Sequence, residues 1–249
     1  MAGSGSEIPA NPGGEPGLPK GPGVLFLVAT PIGNLEDVTL RALRIFREVD
    51  WIAAEDTRRT RILLQHYGIE STLVSHHAHS EHRRSPQLVE RLRVGERGAL
   101  VTDAGTPGIS DPGFLLARMA REAGVAIEVI PGASAVMAAL LASGLPCERF
   151  TFLGYPPPKG AARQRFLKEA MSERRSTVIF ESPHRILRCL EEIAEIDGGR
   201  EIAICRELTK RYEEILRAGA GDLVTEVRMH PRRGEFTLVI SAAPRGTDA

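Results

Sequence analysis

Short runs of apolar residues alternate along the chain with longer segments in which apolar residues recur every three or four positions. Val24–Ala29 and Ala99–Thr102 have the length of buried strands. The segment that carries Leu40, Leu43 and Phe46 has the spacing of an amphipathic helix. Because strand and helix alternate, the first half is predicted to form a mostly parallel sheet covered by helices. The strands predicted there are Val24–Ala29, Trp51–Ala54, Thr72–Ser75, Ala99–Thr102 and Ala126–Ile130.

The pattern changes after Gly144, where predicted strands follow one another without long connections. Such closely spaced strands favour antiparallel pairing. We therefore predict an α/β protein with two α/β domains, over residues 23–143 and 144–243, and a boundary between Ser143 and Arg149. Residues 1–22, rich in Gly and Pro, and residues 244–249 are predicted to be flexible tails. The strands predicted in the second domain are Phe150–Leu153, Thr177–Phe180, Ile202–Arg206, Glu213–Ala218 and Glu235–Ser241.

Composition narrows the class of protein. Of the 249 residues, 42% are hydrophobic and 26% are charged, which excludes disorder of the whole chain. Lys and Arg together number 32, as do Asp and Glu, so a basic coat is excluded while a local basic patch is not. The three cysteines lack CxxC spacing, which suits a reducing cytoplasm. No apolar run reaches the roughly 18 residues of a membrane span, so no membrane partner is expected.

Two loops rich in glycine and proline follow apolar strands, at the edge where parallel sheets bind their ligands. They are Thr30–Asn34 and Asp103–Gly113, and the second contains polar Thr106 and Ser110. Glycines let backbone groups approach a ligand closely, so the longer loop predicts a cofactor held by main-chain contacts. The structural alternative is a stiff surface turn, but loops of this length in compact domains are usually functional.

Local signals also mark where three helices begin. Asp111, followed by Pro112, is predicted to cap the helix Gly113–Ala123, and Ser182 to cap a helix that ends near Ile196. Pro131–Ala135 offers small residues against which a flat ligand can lie. Capping of the next helix by Ser134 is the structural alternative there, and the two roles are compatible.

Several familiar catalytic motifs are absent from the sequence. The chain has no GxxxxGK[ST], no GxGxxG after the first strand, no HExxH and no GxSxG. Ordinary phosphate loops, the dinucleotide-binding fingerprint, zinc proteases of that motif and nucleophile elbows are therefore excluded.

A histidine cluster raises the question of a metal site. His76, His77, His79 and His82 fall within seven residues, with Glu81 among them. A metal site requires three or four ligands that converge on one ion. Adjacent histidines in an extended segment do not easily point at one ion, so we expect a polar loop facing an anionic substrate, and no metal.

Basic residues cluster although the net charge is zero. Pro156–Arg175 contains six basic residues and two glutamates, a local charge of +4. Pro156–Pro158 precedes this cluster and favours an extended arm or lid over a plain helix. Groups of this kind bind phosphate backbones, while the structural alternative is a solvated helix face. The other basic clusters are Arg58, Arg59 and Arg61, and Arg206, Lys210 and Arg211.

Charged residues also follow two predicted strands of the second domain directly. Glu181–Arg185 and Arg206–Lys210 each combine acidic and basic side chains. Their position predicts a shared edge of the sheet, whereas the structural alternative is capping and exposed ion pairs worth less than about 1 kcal/mol.

Seven motifs, taken together and in order, resemble one family over roughly Val24 to Ala243. They are VATPIGNLED, AEDTRRT, VTDAGTPGISDPG, PGASA, FLGYPPPKG, ESPHR and RELTKRYEE. This part of the chain resembles the small-subunit ribosomal RNA cytidine-2′-O-methyltransferases of the tetrapyrrole methylase superfamily. The resemblance implies a two-domain α/β fold of tetrapyrrole methylase type, with S-adenosylmethionine in the cleft between the domains, and a homodimer. It also implies methylation of the ribose 2′-hydroxyl of cytidine 1402 in 16S rRNA, naked or within the small ribosomal subunit.

The resemblance carries cofactor contacts onto particular residues. The residues matched in this way are Asp103, Gly105, Thr106, Ile109, Ser110, Ser134 and Ala135, with Ile32, Phe180, Leu208 and Thr209 as further candidates.

The ribose hydroxyl is a weak nucleophile at neutral pH, so a base or an electrostatic partner is expected. Glu181 and Lys210 are the catalytic candidates because both follow strand ends. Full activity of Glu181→Gln and Lys210→Ala would refute this hypothesis. The candidate RNA contacts are Arg58, Arg59, His184, Arg185 and Arg206, with Lys159, Arg163 and Arg165 as an outer phosphate-binding arm.

Three other functions stay open at this level. A methyltransferase of the same fold that acts on a tetrapyrrole or a protein is disfavoured by the clustered Arg and Lys residues and by the ESPHR and RELTK motifs. A non-catalytic RNA-binding module would be distinguished by its failure to bind S-adenosylmethionine. A histidine-rich metallohydrolase would be distinguished by metal analysis of the purified protein.

Overall fold

The computed structural model describes residues 23–111 and 113–244. The tail predicted over residues 1–22, and most of the tail predicted over 244–249, lie outside these ranges. No helix within the described ranges is long and apolar enough to cross a membrane.

The first sheet is parallel throughout, as its alternation with helices predicts. Its strands are β1 (Val24–Val28), β2 (Trp51–Ala54), β3 (Leu73–Ser75), β4 (Arg97–Val101) and β5 (Ala126–Ile130). They lie in the order β3-β2-β4-β1-β5. The helices that cover this sheet are α1 (Leu40–Glu48), α2 (Thr57–His66), α3 (Glu81–Arg93) and α4 (Phe114–Glu122).

Each face of this sheet has its own apolar core. Phe26 and Ile52 pack with α1 and α2 on one face, while Leu25 and Trp51 pack with α3 and α4 on the other. Helix α4 is capped by Gly113, without a side-chain hydrogen bond, so the prediction that Asp111 caps this helix is wrong. Gly113 takes this position with φ +123°, a conformation that favours glycine.

The second sheet is mixed. Its strands are β6 (Phe150–Gly154), β7 (Ser176–Glu181), β8 (Glu201–Arg206), β9 (Glu214–Gly219) and β10 (Phe236–Ile240), in the order β6-β7-β10-β8-β9. The predicted antiparallel pairing holds for all neighbours except β6 and β7, which are parallel because a helix crosses between them. Helices α6 (Gly160–Ser172), α7 (Ile186–Asp197) and α8 (Ala220–Met229) cover one face.

Two helices in this half differ from the prediction. Helix α7 begins at Ile186 after a turn in which Arg185 N donates to Ser182 O, so Ser182 does not cap it. Helix α8 is absent from the predicted elements, although Leu223 and Val227 give it a buried stripe at a spacing of four residues.

The helix α5 (Ala135–Ser143) joins the two halves. It follows β5 in the chain, yet its Ala139 and Leu140 pack against Val178, Ala203 and Val239 of the second sheet. Helix α5 therefore packs with the second sheet, although the predicted boundary at Ser143–Arg149 assigns it to the first domain, and it closes the base of the cleft between the sheets.

Candidate active site

A cavity of about 280 Å³ lies in the cleft between the two sheets. Its walls come from loops that follow β1, β2, β4 and β5 of the first sheet, and from β7, β10 and the residue after β6 of the second. Parallel strands leave such a crevice outside their carboxyl ends, where open α/β sheets bind ligands. The volume is close to the lower end of the roughly 300–1,000 Å³ typical of small-molecule sites.

The loops after β1 and β4 are tied to each other beneath this cavity. Thr30 N donates to Gly105 O at 2.9 Å, and Gly105 N donates to Thr30 O at 3.1 Å. The Thr30 hydroxyl also donates to Thr102 O at 3.1 Å. Gly105 has φ +79°, in the region that favours glycine, and it lines the cavity with Thr106. The two loops therefore present a fixed backbone surface to a ligand.

One wall of the cavity is apolar. The rings of Tyr155 and Phe180 lie 5.3 Å apart in a tilted arrangement, and both line the cavity. Ile32 and Ile109 contribute aliphatic surface from the loops of the first sheet. Aromatic and aliphatic side chains in this arrangement suit a flat aromatic ligand.

The same cavity also has an acidic part. Four carboxylates line it, those of Glu55, Asp103, Asp111 and Glu235. Asp103 Oδ1 accepts from Asp56 N at 2.9 Å, and Arg59 Nε lies 3.6 Å from Asp103 Oδ2. Burial, together with the charges of Glu55, Asp103 and Glu235, raises the pKa of Asp111 to about 7. Burial and the charge of Asp103 also raise the pKa of Glu55. The carboxylates favour a ligand that carries positive charge and hydroxyl donors.

The amino-terminal end of α5 meets the cavity as well. Ser134 caps this helix, since its hydroxyl oxygen accepts from Met137 N at 3.5 Å, and it lines the cavity beside Ala135 and Val136. The first turn of a helix leaves backbone N–H groups free and carries partial positive charge. This end of the cavity therefore suits a carboxylate or another anion.

A second cavity, of about 240 Å³, adjoins the first. The residues shared by both are Ile32, Arg59, Asp103, Ala104 and Glu235. Lys210 lines the second cavity, and its Nζ donates to Glu207 Oε1 at 2.9 Å and to Glu235 Oε2 at 3.0 Å. Burial lowers the pKa of Lys210, but these two bonds outweigh it and the pKa is raised. A positive charge is therefore held beside the shared wall.

The loop after β8 fixes the loop after β1 across the cleft. Glu207 and Thr209 have φ of +49° and +64°, values that residues other than glycine rarely adopt. Thr209 Oγ1 accepts from Asn34 N at 3.1 Å. A Cβ atom at Gly33 would lie 2.4 Å from Lys210 Cγ, so only glycine permits this close approach.

Comparisons with known proteins agree with this arrangement. A model of the family described as Tetrapyrrole (Corrin/Porphyrin) Methylases matches residues 24–224. Ribosomal RNA small subunit methyltransferase I of Xylella fastidiosa is 49% identical over 225 residues, which cover 89% of this chain and 82% of that protein. The protein of the same name from Halalkalibacterium halodurans is 47% identical over 218 residues, covering 88% of this chain and 75% of that protein. The chain belongs to the tetrapyrrole methylase family.

Solved structures of this family share the fold. Uroporphyrin-III-C-methyltransferase from Thermus thermophilus superposes with a TM-score of 0.61 at 20% identity, covering 88% of this chain and 94% of that one. Diphthine synthase superposes with a TM-score of 0.67 at 16% identity, covering 88% and 90%. The α/β fold of tetrapyrrole methylase type, which the seven motifs imply, is thereby confirmed.

Most residues predicted to bind the cofactor meet at the first cavity. The nine that line it are Ile32, Asp103, Gly105, Thr106, Ile109, Ser110, Ser134, Ala135 and Phe180. The other two lie behind it, since Leu208 is buried in the apolar cluster that contains Ile32, and Thr209 bonds to Asn34.

The structure argues against the role predicted for Glu181. Its side chain is fully buried, with Oε2 accepting from Arg163 Nη1 at 3.0 Å and Oε1 lying 2.8 Å from Arg185 Nε. Oε1 also accepts from Ser182 N at 2.8 Å. Because both oxygens are occupied and neither cavity is lined by this residue, Glu181 is placed to position α6 and α7 rather than to accept a proton.

The structure also argues against the prediction that Arg163 belongs to an outer phosphate-binding arm. Its side chain is 1% exposed, and its Nε donates to Glu192 Oε2 at 2.6 Å. A buried guanidinium that already holds Glu181 and Glu192 cannot contact RNA in this structure.

The remaining RNA candidates divide by their exposure. Those on the surface are Arg58, Arg59, Lys159, Arg165 and His184. Arg185 is 27% exposed and paired with Glu181, and Arg206 is 19% exposed and lies 3.3 Å from Glu214. Only Arg59 of this set lines the two cavities.

Sequence reasoning missed cavity residues that the second sheet supplies. Tyr155 and Glu235–Thr237 come from the end of β6 and the start of β10. An aromatic residue directly after a predicted strand and its glycine is a signal that could have identified Tyr155. For Glu235 no signal exists in the sequence, because its place depends on how the two domains pack.

The histidine cluster has a structural explanation. His76 is buried, its Nε2 lies 3.0 Å from Ser85 Oγ, and burial lowers its pKa. The rings of His77 and His79 are 6.1 Å apart. Over residues 23–111 and 113–244, no group of three or more His, Cys, Asp or Glu side chains is arranged to hold a metal ion.

Proposed function

We propose that this protein transfers a methyl group from S-adenosylmethionine to the ribose 2′-hydroxyl of cytidine 1402 in 16S rRNA. The observation that carries the proposal is the pair of adjoining cavities, which share a wall that includes Arg59 and Asp103. One cavity has the chemistry of a nucleoside cofactor, and the other brings cationic side chains to the same wall. The identity of 43–49% to proteins named Ribosomal RNA small subunit methyltransferase I supports an rRNA acceptor.

The residues present fit S-adenosylmethionine part by part. The apolar wall of Tyr155, Phe180 and Ile109 suits the adenine ring. Carboxylates such as Asp103 suit ribose hydroxyls and positively charged groups, and the first turn of α5 suits a carboxylate. When bound, this cofactor supplies a methyl group already activated by the positive sulfur, so no metal is required for the transfer.

The chain contributes position and charge. The hydrogen bonds between Thr30 and Gly105 fix the loops that lie beneath the first cavity. A fixed geometry of the methyl donor and the acceptor hydroxyl contributes several kcal/mol to such a displacement. Lys210 holds Glu235 at the shared wall, so we assign this pair, in place of Glu181, to orient the ribose hydroxyl. Arg58 and Arg59 stand on α2 beside the second cavity, where they favour phosphate groups of the acceptor strand.

A homodimer is part of the proposal. Met137 and Leu141 of α5 are 51% and 76% exposed, and Val129 of the edge strand β5 is 57% exposed. Exposed large apolar side chains on an edge strand and on the helix that follows it favour a contact with another protein surface. A second copy of the chain on this face would bury them. A substrate in the small ribosomal subunit would place the enzyme in the cytoplasm.

The test is transfer of labelled methyl groups. The protein is incubated with methyl-labelled S-adenosylmethionine and either unmodified small subunits or naked 16S rRNA, and the label is mapped. A single ribose-methylated cytidine at position 1402 is expected. Lys210→Ala should lower the rate at least tenfold, while Arg211→Ala, at its exposed neighbour, should leave it within about twofold.

Binding of the cofactor without transfer to either RNA substrate would reject the acceptor. The fold and the cofactor site would then stand, and the tetrapyrrole or protein acceptors would be tried next.

A further inference from the structure

A basic groove lies at the end of the second sheet opposite the active site. Two adjoining cavities of about 340 and 400 Å³ open there, and they share Glu148, Arg149 and Arg175. Arg174 lines the first of them and Phe150 the second. We call the surface formed by Arg149, Arg174 and Arg175 the arginine groove.

The parallel pairing of β6 and β7 brings these arginines together. Phe150 is paired with Ser176, so Arg149 and Arg175 precede neighbouring residues on adjacent strands. Tyr155, at the other end of β6, lines the active-site cavity. The five residues of β6 place the two sites about 17 Å apart along the strand.

The side chains of the arginine groove are free, unlike most arginines of this domain. All three residues are exposed, and among the described residues none of the three side chains makes an ion pair or a hydrogen bond. Elsewhere in the domain Arg200, Arg217 and Arg232 are each held by carboxylates at 2.6–3.1 Å. Glu148 lines the groove, and the carboxylate of Glu173, whose Oε1 accepts from Arg174 N at 2.9 Å, adjoins it, so the three arginines leave a local charge of about +1.

We propose that the arginine groove binds the phosphate backbone of the RNA substrate at a position remote from the methylated nucleotide. The inference rests on the proposed function and adds a second contact region to it. Free guanidinium groups pair with phosphate oxygens in a bidentate fashion, and the ring of Phe150 offers a surface on which a base can stack. Two separated contacts fix the register of an RNA strand in a way that one contact does not.

Basic side chains also lie on the surface between the active site and the arginine groove, where an RNA strand that contacts both sites would run. Helix α6 begins just after Lys159, near the active site, and ends at Ser172, just before the arginine groove. Its 13 residues span about 20 Å. Arg165 and Lys168 are exposed on this helix, so basic side chains continue from one site to the other.

The test compares two triple variants that lose the same charge. Arg149→Gln/Arg174→Gln/Arg175→Gln removes the three positive charges of the arginine groove. Arg83→Gln/Arg93→Gln/Arg121→Gln removes three exposed arginines from the helices of the first domain and serves as the matched control. Dissociation constants for naked 16S rRNA and for small subunits are measured over a series of salt concentrations, together with kcat, KM and S-adenosylmethionine affinity. Thermal unfolding checks that both variants fold, and Arg→Lys at the three groove positions tests rescue by charge.

We expect the groove variant to raise the Kd and KM for rRNA about tenfold and to reduce the slope of log Kd against log salt by about 2. Its kcat and cofactor affinity should match the wild type, and the control variant should bind rRNA within about threefold of it. The lysine variant should bind with an affinity between those of the glutamine variant and the wild type, because an ammonium group keeps the charge but not the bidentate geometry. An unchanged Kd and salt slope would overturn the inference. So would weaker binding to subunits alone, since that result would indicate a ribosomal protein in the groove. Failure of the wild-type protein to methylate rRNA would instead reject the proposed function.

Discussion

The guanidinium of Arg163 donates to the carboxylate of Glu181 at 3.0 Å, and both side chains are at most 1% exposed. The same guanidinium reaches Glu192 on α7 and Pro157 O in the segment that leads from the active site to α6. Glu181 ends the strand that carries Phe180 into the cavity. The pair therefore fixes one wall of the candidate active site from behind, because neither residue lines the cavity itself.

Loss of one partner of this pair should be costly for stability. Arg163→Met leaves the Glu181 carboxylate buried with less compensation, and removal of one member of a buried pair typically costs about 3–5 kcal/mol. The free energy of unfolding, measured in urea, should fall by this amount. Arg188→Met, which removes a 55% exposed partner of Glu192, should cost less than about 1 kcal/mol. The double variant Arg163→Met/Glu181→Leu should be more stable than Arg163→Met alone, and equal loss in both would contradict a charge-based cause.

Much of this fold follows from periodicity that is visible in the sequence. The predicted strands of the first sheet end within a few residues of the observed ones, because buried parallel strands are short apolar runs between helical segments. Nine cofactor candidates converge because parallel strands bring their following loops to one edge.

Charge alone did not distinguish Arg163 from Arg165. One is buried and the other exposed, although both belong to the same basic segment. The helical spacing does distinguish them, since Arg163 lies in register with Leu167 and Ala170 on the buried face of α6. Glu235 differs, because its contact with Lys210 depends on packing between segments that are distant in sequence.

Gly98 should tolerate no side chain. A Cβ atom there would lie 2.2 Å from the ring of Trp51, which begins β2 and is fully buried against the helices α3 and α4. Gly98→Ala forces the ring or the strand to move, and overpacking of this kind costs about 1–3 kcal/mol or more. The midpoint of thermal unfolding should fall by several degrees. Gly199→Ala, where the nearest atom lies at 3.6 Å, is the control and should change the midpoint little.

Gly33 should matter for activity more than for stability. Its added Cβ would meet Lys210 Cγ at 2.4 Å and Thr209 Oγ1 at 2.8 Å, so Gly33→Ala separates the loop after β1 from the loop after β8. The shared wall of the two cavities would shift, and a displacement of about 1 Å at a reacting centre can lower the rate about a hundredfold. We expect kcat/KM for methyl transfer to fall at least tenfold while the unfolding midpoint changes by only a few degrees. A variant with full activity would show that this contact does not position the site.

Asp111 should make stability fall as the pH rises. Its pKa is about 7 in the folded protein because of burial and the neighbouring carboxylates Glu55, Asp103 and Glu235, and about 4 in the unfolded chain. Between these values the folded state retains a proton that the unfolded state has released, so ionisation disfavours folding as the pH rises through this window. Solvent reaches this half-buried group and reduces the effect. The free energy of unfolding of Asp111→Asn should therefore exceed that of the wild type by about 1–2 kcal/mol at pH 8 and should equal it at pH 4. Urea unfolding at both pH values measures this difference, with Glu70→Gln, at an exposed loop position, as the control.

The same ionisation should change which ligand the active site prefers. As the pH rises through 7, Asp111 adds its negative charge to the cavity. This charge would attract the proposed cofactor, positively charged S-adenosylmethionine, more than the thioether that remains after methyl transfer, which lacks the sulfonium charge. The ratio of the two dissociation constants, measured by calorimetry, should therefore move several-fold in favour of the methyl donor between pH 6 and 8. Asp111→Asn should flatten this dependence, and Glu70→Gln should preserve it. If the ratio stays constant with pH in the wild-type protein, Asp111 does not face the bound sulfonium, and the acidic wall acts on the ribose hydroxyls alone.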